Sequence, residues 1–243
     1  MSSENSAAAA APTESAPRQF VNYAFFKTDP AWRRLPAAER QQGKEEFLRV
    51  VEEYRGRAII VPFSLIGMRG DVDFLLWRIA FDLETLQEMT AKLLATGLGQ
   101  WLTTPYSLLG QAKTSVYEDP YIHPSQEEKR SRVRPGEYKY LFVYPFVKTR
   151  EWFLLSKEDR SAAMRDHIRV GHEYPSIKLN TIYSFGLDDQ EWVVAFESNR
   201  PSDFLDLVME LRETESSKYT VRDTPIFTCI RGELRQVLDL LGG

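Results

Sequence analysis

The chain repeats itself once, and that repeat restricts it to folds built from two like halves. Tyr23-Ala24-Phe25-Phe26-Lys27-Thr28 returns 121 residues later as Tyr144-Pro145-Phe146-Val147-Lys148-Thr149. At an offset of 120, Trp32 answers Trp152, Glu39-Arg40 answers Asp159-Arg160, and Glu53-Tyr54 answers Glu173-Tyr174. Asp73-Phe74 answers Glu191-Trp192 at an offset of 118. Each half reads strand, helix, strand, strand, helix, strand. In the second half, a strand over 140–147 precedes a helix over 156–174 opened by the capping pattern Ser156-Lys157-Glu158-Asp159. A hairpin follows, with strands at 177–185 and 191–197 around Gly186-Leu187-Asp188-Asp189. A helix over 201–215 and a strand over 224–230 close the unit. The expected class is therefore α+β, with the ferredoxin-like βαββαβ order occurring twice as in a dimeric α/β-barrel subunit, the two antiparallel sheets sharing one core.

These boundaries divide the chain into a disordered N-terminal tail (1–17), a first half (18–118), a linker (119–138) and a second half (139–243). The tail has five consecutive Ala among Ser, Glu and Pro, with neither a basic nor an apolar leader segment. The linker carries Pro120, His123, Pro124, Pro135 and the charge run 127–132, read as a solvated loop. A formal charge of −4, from 31 basic and 35 acidic residues with no basic stripe, argues against nucleic acid. Apolar runs are strand-sized, which argues against a membrane span. One cysteine, Cys229, forms no internal disulfide and suits a reducing, cytoplasmic setting.

A duplicated fold needs one working site, so positions where the copies differ in chemical type carry the functional signal. His167 is the clearest, because its counterpart at offset 120 is Phe47. It shares a helical stripe with Met164, Ile168 and Gly171, and so points inward where the first half puts an aromatic ring. A glycine one turn further on admits a flat, bulky group close to the backbone. A lone imidazole of this kind serves either as a core histidine or as the single axial ligand that a haem iron requires. His172 lies about 140° further round the helix and cannot share an ion with His167. Three dispersed His and one Cys make no zinc constellation. Tyr144 and Lys148, four apart on a strand, project to one face. A phenol can release a proton and an electron, and an ammonium suits a carboxylate. Tyr23 and Lys27 sit at the same spacing in the first half, so a structural role for both pairs stands beside the catalytic one.

Three segments, Val143-Tyr144-Pro145-Phe146-Val147-Lys148, Met164-Arg165-Asp166-His167-Ile168-Arg169-Val170-Gly171 and the stretch from Tyr183 to Trp192, together with 212–225, resemble the chlorite dismutase-like superfamily, in particular its coproheme decarboxylase branch. The resemblance covers roughly 95 residues in register, and the first half follows it in pattern only. It implies a homopentamer with a porphyrin in each C-terminal half, His167 as axial iron ligand, Tyr144 as the radical-forming residue and Lys148 as a propionate contact. Phe146 stands where the family often has Met. The activity implied is peroxide-dependent oxidative decarboxylation of Fe-coproporphyrin III to haem b, with porphyrin and hydrogen peroxide as partners and a transient contact with ferrochelatase. Chlorite dismutases carry a distal Arg on the strand before the Gly-Leu-Asp-Asp turn. Here that position falls on Leu179, flanked by Lys178 and Asn180, and no Arg occurs from Pro175 to Phe185. The alternatives are a haem b-dependent chlorite dismutase or peroxidase, and a haem-binding module without turnover. A carboxylate behind His167 Nδ1 would fix the ring, and Glu215 is the candidate, with Glu213 second.

Overall fold

The computed structural model describes residues 17–115 and 132–242; most of the expected tail and linker, with His123, lies outside the described residues. Nine strands and six helices occur among them: β1 Phe20–Thr28, α1 Ala37–Tyr54, β2 Ile59–Ser64, β3 Phe74–Ala80, α2 Leu83–Leu94 and β4 Leu102–Gln111 in the first half. The second half holds β5 Tyr140–Lys148, α3 Arg150–Leu154, α4 Lys157–His172, β6 Ile177–Tyr183, β7 Trp192–Ser198, α5 Pro201–Glu213, β8 Thr220–Arg222, β9 Phe227–Arg231 and α6 Leu234–Asp239. Local chemistry sets the boundaries. Ser156 caps α4 by accepting from the Asp159 N–H at 3.0 Å, Asp82 caps α2 through Thr85, and Pro201 begins α5 where its missing N–H costs nothing. Gly186, with φ near +70°, takes the left-handed conformation that the β6–β7 turn demands.

The strands run β4-β1-β3-β2 in the first half and β9-β5-β7-β6 in the second, the same ferredoxin-like order twice. The two sheets do not stack. They join edge to edge, β2 with β9 and β4 with β6, into one closed antiparallel ring with β8 attached to the end of β5. Closure removes free sheet edges. The ring's interior is an aromatic and aliphatic core that includes Tyr23, Phe25, Trp77, Val143, Ala195 and Phe227, while α1, α2 and α6 cover one outer face and α4 and α5 the other. Among the described residues no helix is long and apolar enough to cross a membrane.

The register corrects the equivalence of the two tyrosines. Tyr23 pairs with Trp77 and points into the ring, whereas Tyr144 pairs with Val194 and points out beneath the helices. The structural repeat follows the offset of 120: the Thr28 N–H donates to Asp73 Oδ2 at 2.8 Å, and the Lys148 N–H donates to Glu191 Oε2 at 3.1 Å. Tyr144 thus replaces Ala24 and Lys148 replaces Thr28. Because side chains alternate along a strand, the one-residue difference between the two offsets exchanges one face for the other.

Candidate functional site

In the first half, Phe26, Phe47 and Phe74 fill the space between α1 and the sheet, with ring centroids 4.9 to 6.4 Å apart and no exposed surface. The same three positions in the second half hold Phe146, His167 and Trp192, and all three are half-buried. Phe146 and Trp192 still touch edge to face at 6.3 Å, so the plug is opened at the histidine rather than dismantled. One turn beyond His167, a methyl group placed on Gly171 would meet open space. On the sheet opposite, Leu179 is 54% exposed. An open apolar slot therefore exists on the helix side of the second half where the first half is solid, and its imidazole comes from α4.

His167 lies on the inward stripe of α4 with Ala163 and Val170, both buried. Its pKa is lowered to about 4, first by desolvation and then by the charge of Lys148, so the ring is neutral at physiological pH and can ligate without losing a proton. The expected carboxylate behind it is absent from that place. Glu215 is exposed and pairs with Lys218 at 2.7 Å, and Glu213 is exposed as well. Ser216 takes the position instead, 1% exposed, with Oγ 3.2 Å from His167 Nδ1 and 3.4 Å from Thr214 Oγ1. The cause is local: α5 stops at Thr214 and the chain enters a tight 3-10 turn over Glu215–Tyr219, which sends successive side chains in different directions. With metal on Nε2, Nδ1 keeps its proton and donates to Ser216 Oγ, fixing tautomer and ring plane. We expect Ser216→Ala to weaken iron-porphyrin binding roughly tenfold and to shift the iron–imidazole vibration, as read by titration and resonance Raman; an unchanged spectrum would leave the serine without a role at the ring.

Lys148 is drawn to the same turn. Its Nζ donates to the Ser216 carbonyl at 2.5 Å and sits over the rings of Trp152 (4.6 Å) and Phe146 (5.3 Å). Burial lowers its pKa to about 8. The ammonium thus holds the turn that carries Ser216, on the His167 side of the slot.

Tyr144 is 7% exposed, stacks on Phe196 at 6.1 Å and makes no hydrogen bond among the described residues. Desolvation, helped by Asp223 and opposed by Arg212, raises its pKa, so the phenol stays protonated and available as a hydrogen-atom donor. Leu179 pairs across β7 with Phe196, which pairs with Phe142, so Leu179 shares the face of Tyr144. Lys178 lies on the other face, opposite Glu197, and is held there by Glu197 Oε1 at 3.3 Å and by the Arg134 carbonyl. Leu179, not Lys178, faces the slot. His172 is exposed, one side of the helix away from His167.

Among the described residues no group of three or more His, Cys, Asp or Glu could hold a metal. A metal at His167 would bring its remaining ligands with it, as a porphyrin iron does, and the half-buried Phe146 and Trp192 with the exposed Leu179, all on one face of the sheet, suit a flat apolar macrocycle.

The profile of the family described as chlorite dismutase matches residues 40–232. A coproheme decarboxylase from Mycolicibacterium smegmatis is 30% identical over 184 residues, covering 73% of this chain and 74% of that relative. A chlorite dismutase from Candidatus Nitrospira defluvii, solved with imidazole, superposes with a TM-score of 0.83 at 26% identity, covering 91% of this chain and 94% of the other. A haem-binding protein from Thermus thermophilus gives 0.81 at 25% identity, over 95% and 97% of the two chains. With its duplicated ferredoxin-like barrel and a profile match spanning both halves, the chain belongs to the chlorite dismutase family.

Proposed function

We propose that this protein is a coproheme decarboxylase, converting Fe-coproporphyrin III to haem b with hydrogen peroxide, and that residues 139–243 bind the porphyrin while 18–118 serve as scaffold. The observation that carries the reading is Leu179 on the slot face, with Lys178 on the opposite face of the strand and ion-paired with Glu197. Holding an oxychlorine anion over iron calls for a fixed positive group, and this strand presents an aliphatic side chain. The relative from Mycolicibacterium smegmatis supports the same branch.

Two of the four propionates are converted, each losing its carboxylate as carbon dioxide and one hydrogen from its β-carbon to leave a vinyl group, with one peroxide consumed per propionate. One peroxide takes up the two electrons and, with one further proton, leaves as two waters. When bound, the iron porphyrin supplies the redox centre that passes electrons to peroxide, and it is also the substrate. His167 would hold it through a neutral imidazole oriented by Ser216. Tyr144, protonated and buried, gives up a proton and an electron and then takes the β-hydrogen as a phenoxyl radical. Lys148 fixes the turn behind the ligand and carries the positive charge that draws a propionate toward Tyr144, a positioning role in which small displacements cost much rate. We extend the reading to a homopentamer acting on peroxide in the cytoplasm.

The deciding experiment incubates the purified protein with iron coproporphyrin III and peroxide and weighs the porphyrin. Two successive losses of formic-acid mass, carbon dioxide plus two hydrogens, are expected. An unchanged porphyrin alongside chlorite turnover would replace this reading with a dismutase, and neither change would leave a binding module.

A further inference from the structure

A second cavity lies in the first half, on the outer face of the sheet at the edge of α2 and distant in fold from the slot at His167. It is lined by Arg78 on β3 with Asn22, Thr90 and the exposed Ser107, by Leu83, Leu86 and Leu109, and by the exposed Glu84 and Gln87. Arg78 is 4% exposed, and among the described residues no carboxylate pairs with it. Its guanidinium meets only neutral acceptors: Nη1 donates to Thr90 Oγ1 at 2.6 Å and to the Leu86 carbonyl at 3.4 Å, and Nη2 to Asn22 Oδ1 at 2.5 Å. Its Nε is buried and has no partner. Burial lowers its pKa to about 10, so the group keeps its charge at physiological pH.

Buried guanidinium groups are ordinarily matched by an anion, because desolvating a lone charge is costly. Packing alone gives no reason for one here, since Phe196 occupies the corresponding position of the second half as a stacked aromatic. The surrounding groups describe what is missing. Nη2 keeps one N–H without an acceptor among the described residues, and the positive charge is unmatched, while the buried Nε lies below the cavity surface. Ser107 Oγ already accepts from Asn22 Nδ2 at 2.9 Å, which leaves its own O–H free to donate to a ligand. Three leucines offer room for a short alkyl group, and the Glu84 carboxylate at the rim disfavours a second negative charge.

We propose that this cavity binds a small aliphatic monocarboxylate, with Arg78 as its charge partner and Ser107 as a second donor. The probe is sodium butyrate, titrated into the full-length protein at constant ionic strength, with inorganic phosphate and chloride as comparison anions. One saturable site per chain is expected, together with a rise in melting temperature of about 3 °C once butyrate exceeds its Kd tenfold. Arg78→Gln should abolish both effects. Ser107→Ala, an exposed position that cannot unfold the core, should weaken binding about tenfold, which keeps the test open if Arg78→Gln fails to fold. His167→Ala should bind butyrate as the parent does. The proposal is overturned if the parent shows no saturable binding, if phosphate binds as tightly as butyrate, if Ser107→Ala binds unchanged, or if His167→Ala loses the site, which would put the carboxylate in the second half.

Discussion

Replacing His167 by Ala is expected to lower iron-porphyrin affinity at least roughly tenfold and to erase the axial-imidazole signature from the electronic and resonance Raman spectra. No other histidine among the described residues can take over: His172 is exposed on a different side of α4, and its replacement by Ala should leave the spectrum as it was. The fold should tolerate the change. His167 stands where the first half has a fully buried Phe47, but it is only half-buried itself, and the slot beside it is already open, so Ala enlarges a cavity instead of creating one in a packed core. His167→Phe is the informative partner, since it restores the ring that plugs the first half. It should match or exceed the parent in melting temperature while losing the porphyrin. If His172→Ala, and not His167→Ala, removed the signature, the assignment of the inward face of α4 would be wrong.

Much of this was legible in the sequence for a reason that applies to both halves. Each half must bury one face of a sheet under two helices, so its apolar pattern is dictated by geometry, and the substitution of an imidazole for Phe47 stands out against it. Three things were not legible. The register of the first strand was misread because Tyr23 and Lys27 mimic Tyr144 and Lys148 in residue type, and only the pairing with β3 shows that Tyr23 lies on the opposite face. The group behind His167 was assigned to Glu215 because carboxylates commonly fill that role. Which residue of Thr214-Glu215-Ser216 turns inward depends on where α5 ends and the 3-10 turn begins, and residue type does not fix that. The second contact of Lys148, with the Ser216 carbonyl, was not foreseen beside its expected place at a propionate, because a backbone group is one that no sequence motif advertises.

Tyr144→Phe is expected to stop the loss of propionate carboxyls, reducing vinyl formation by at least roughly a hundredfold, with porphyrin binding nearly unchanged. Phe keeps the ring against Phe196 and removes only a hydroxyl that makes no hydrogen bond among the described residues, so stability should move little. What disappears is the buried Tyr144 O–H bond, whose proton and electron can leave together. The corrected register sharpens the control. Tyr23 is fully buried inside the barrel, stacked on Trp77 at 5.4 Å, with its hydroxyl unpartnered and its pKa raised well above normal by burial. The sheet itself separates it from the slot, so Tyr23→Phe should keep full turnover. It should also melt at the same temperature or higher, because it removes a buried donor that costs about 1–3 kcal/mol when left unsatisfied. Vinyl content by mass spectrometry after equal peroxide doses, with melting curves for both variants, separates the roles. Full turnover by Tyr144→Phe would end the radical assignment. Equal loss in both variants would show that the two tyrosines serve the barrel rather than the reaction.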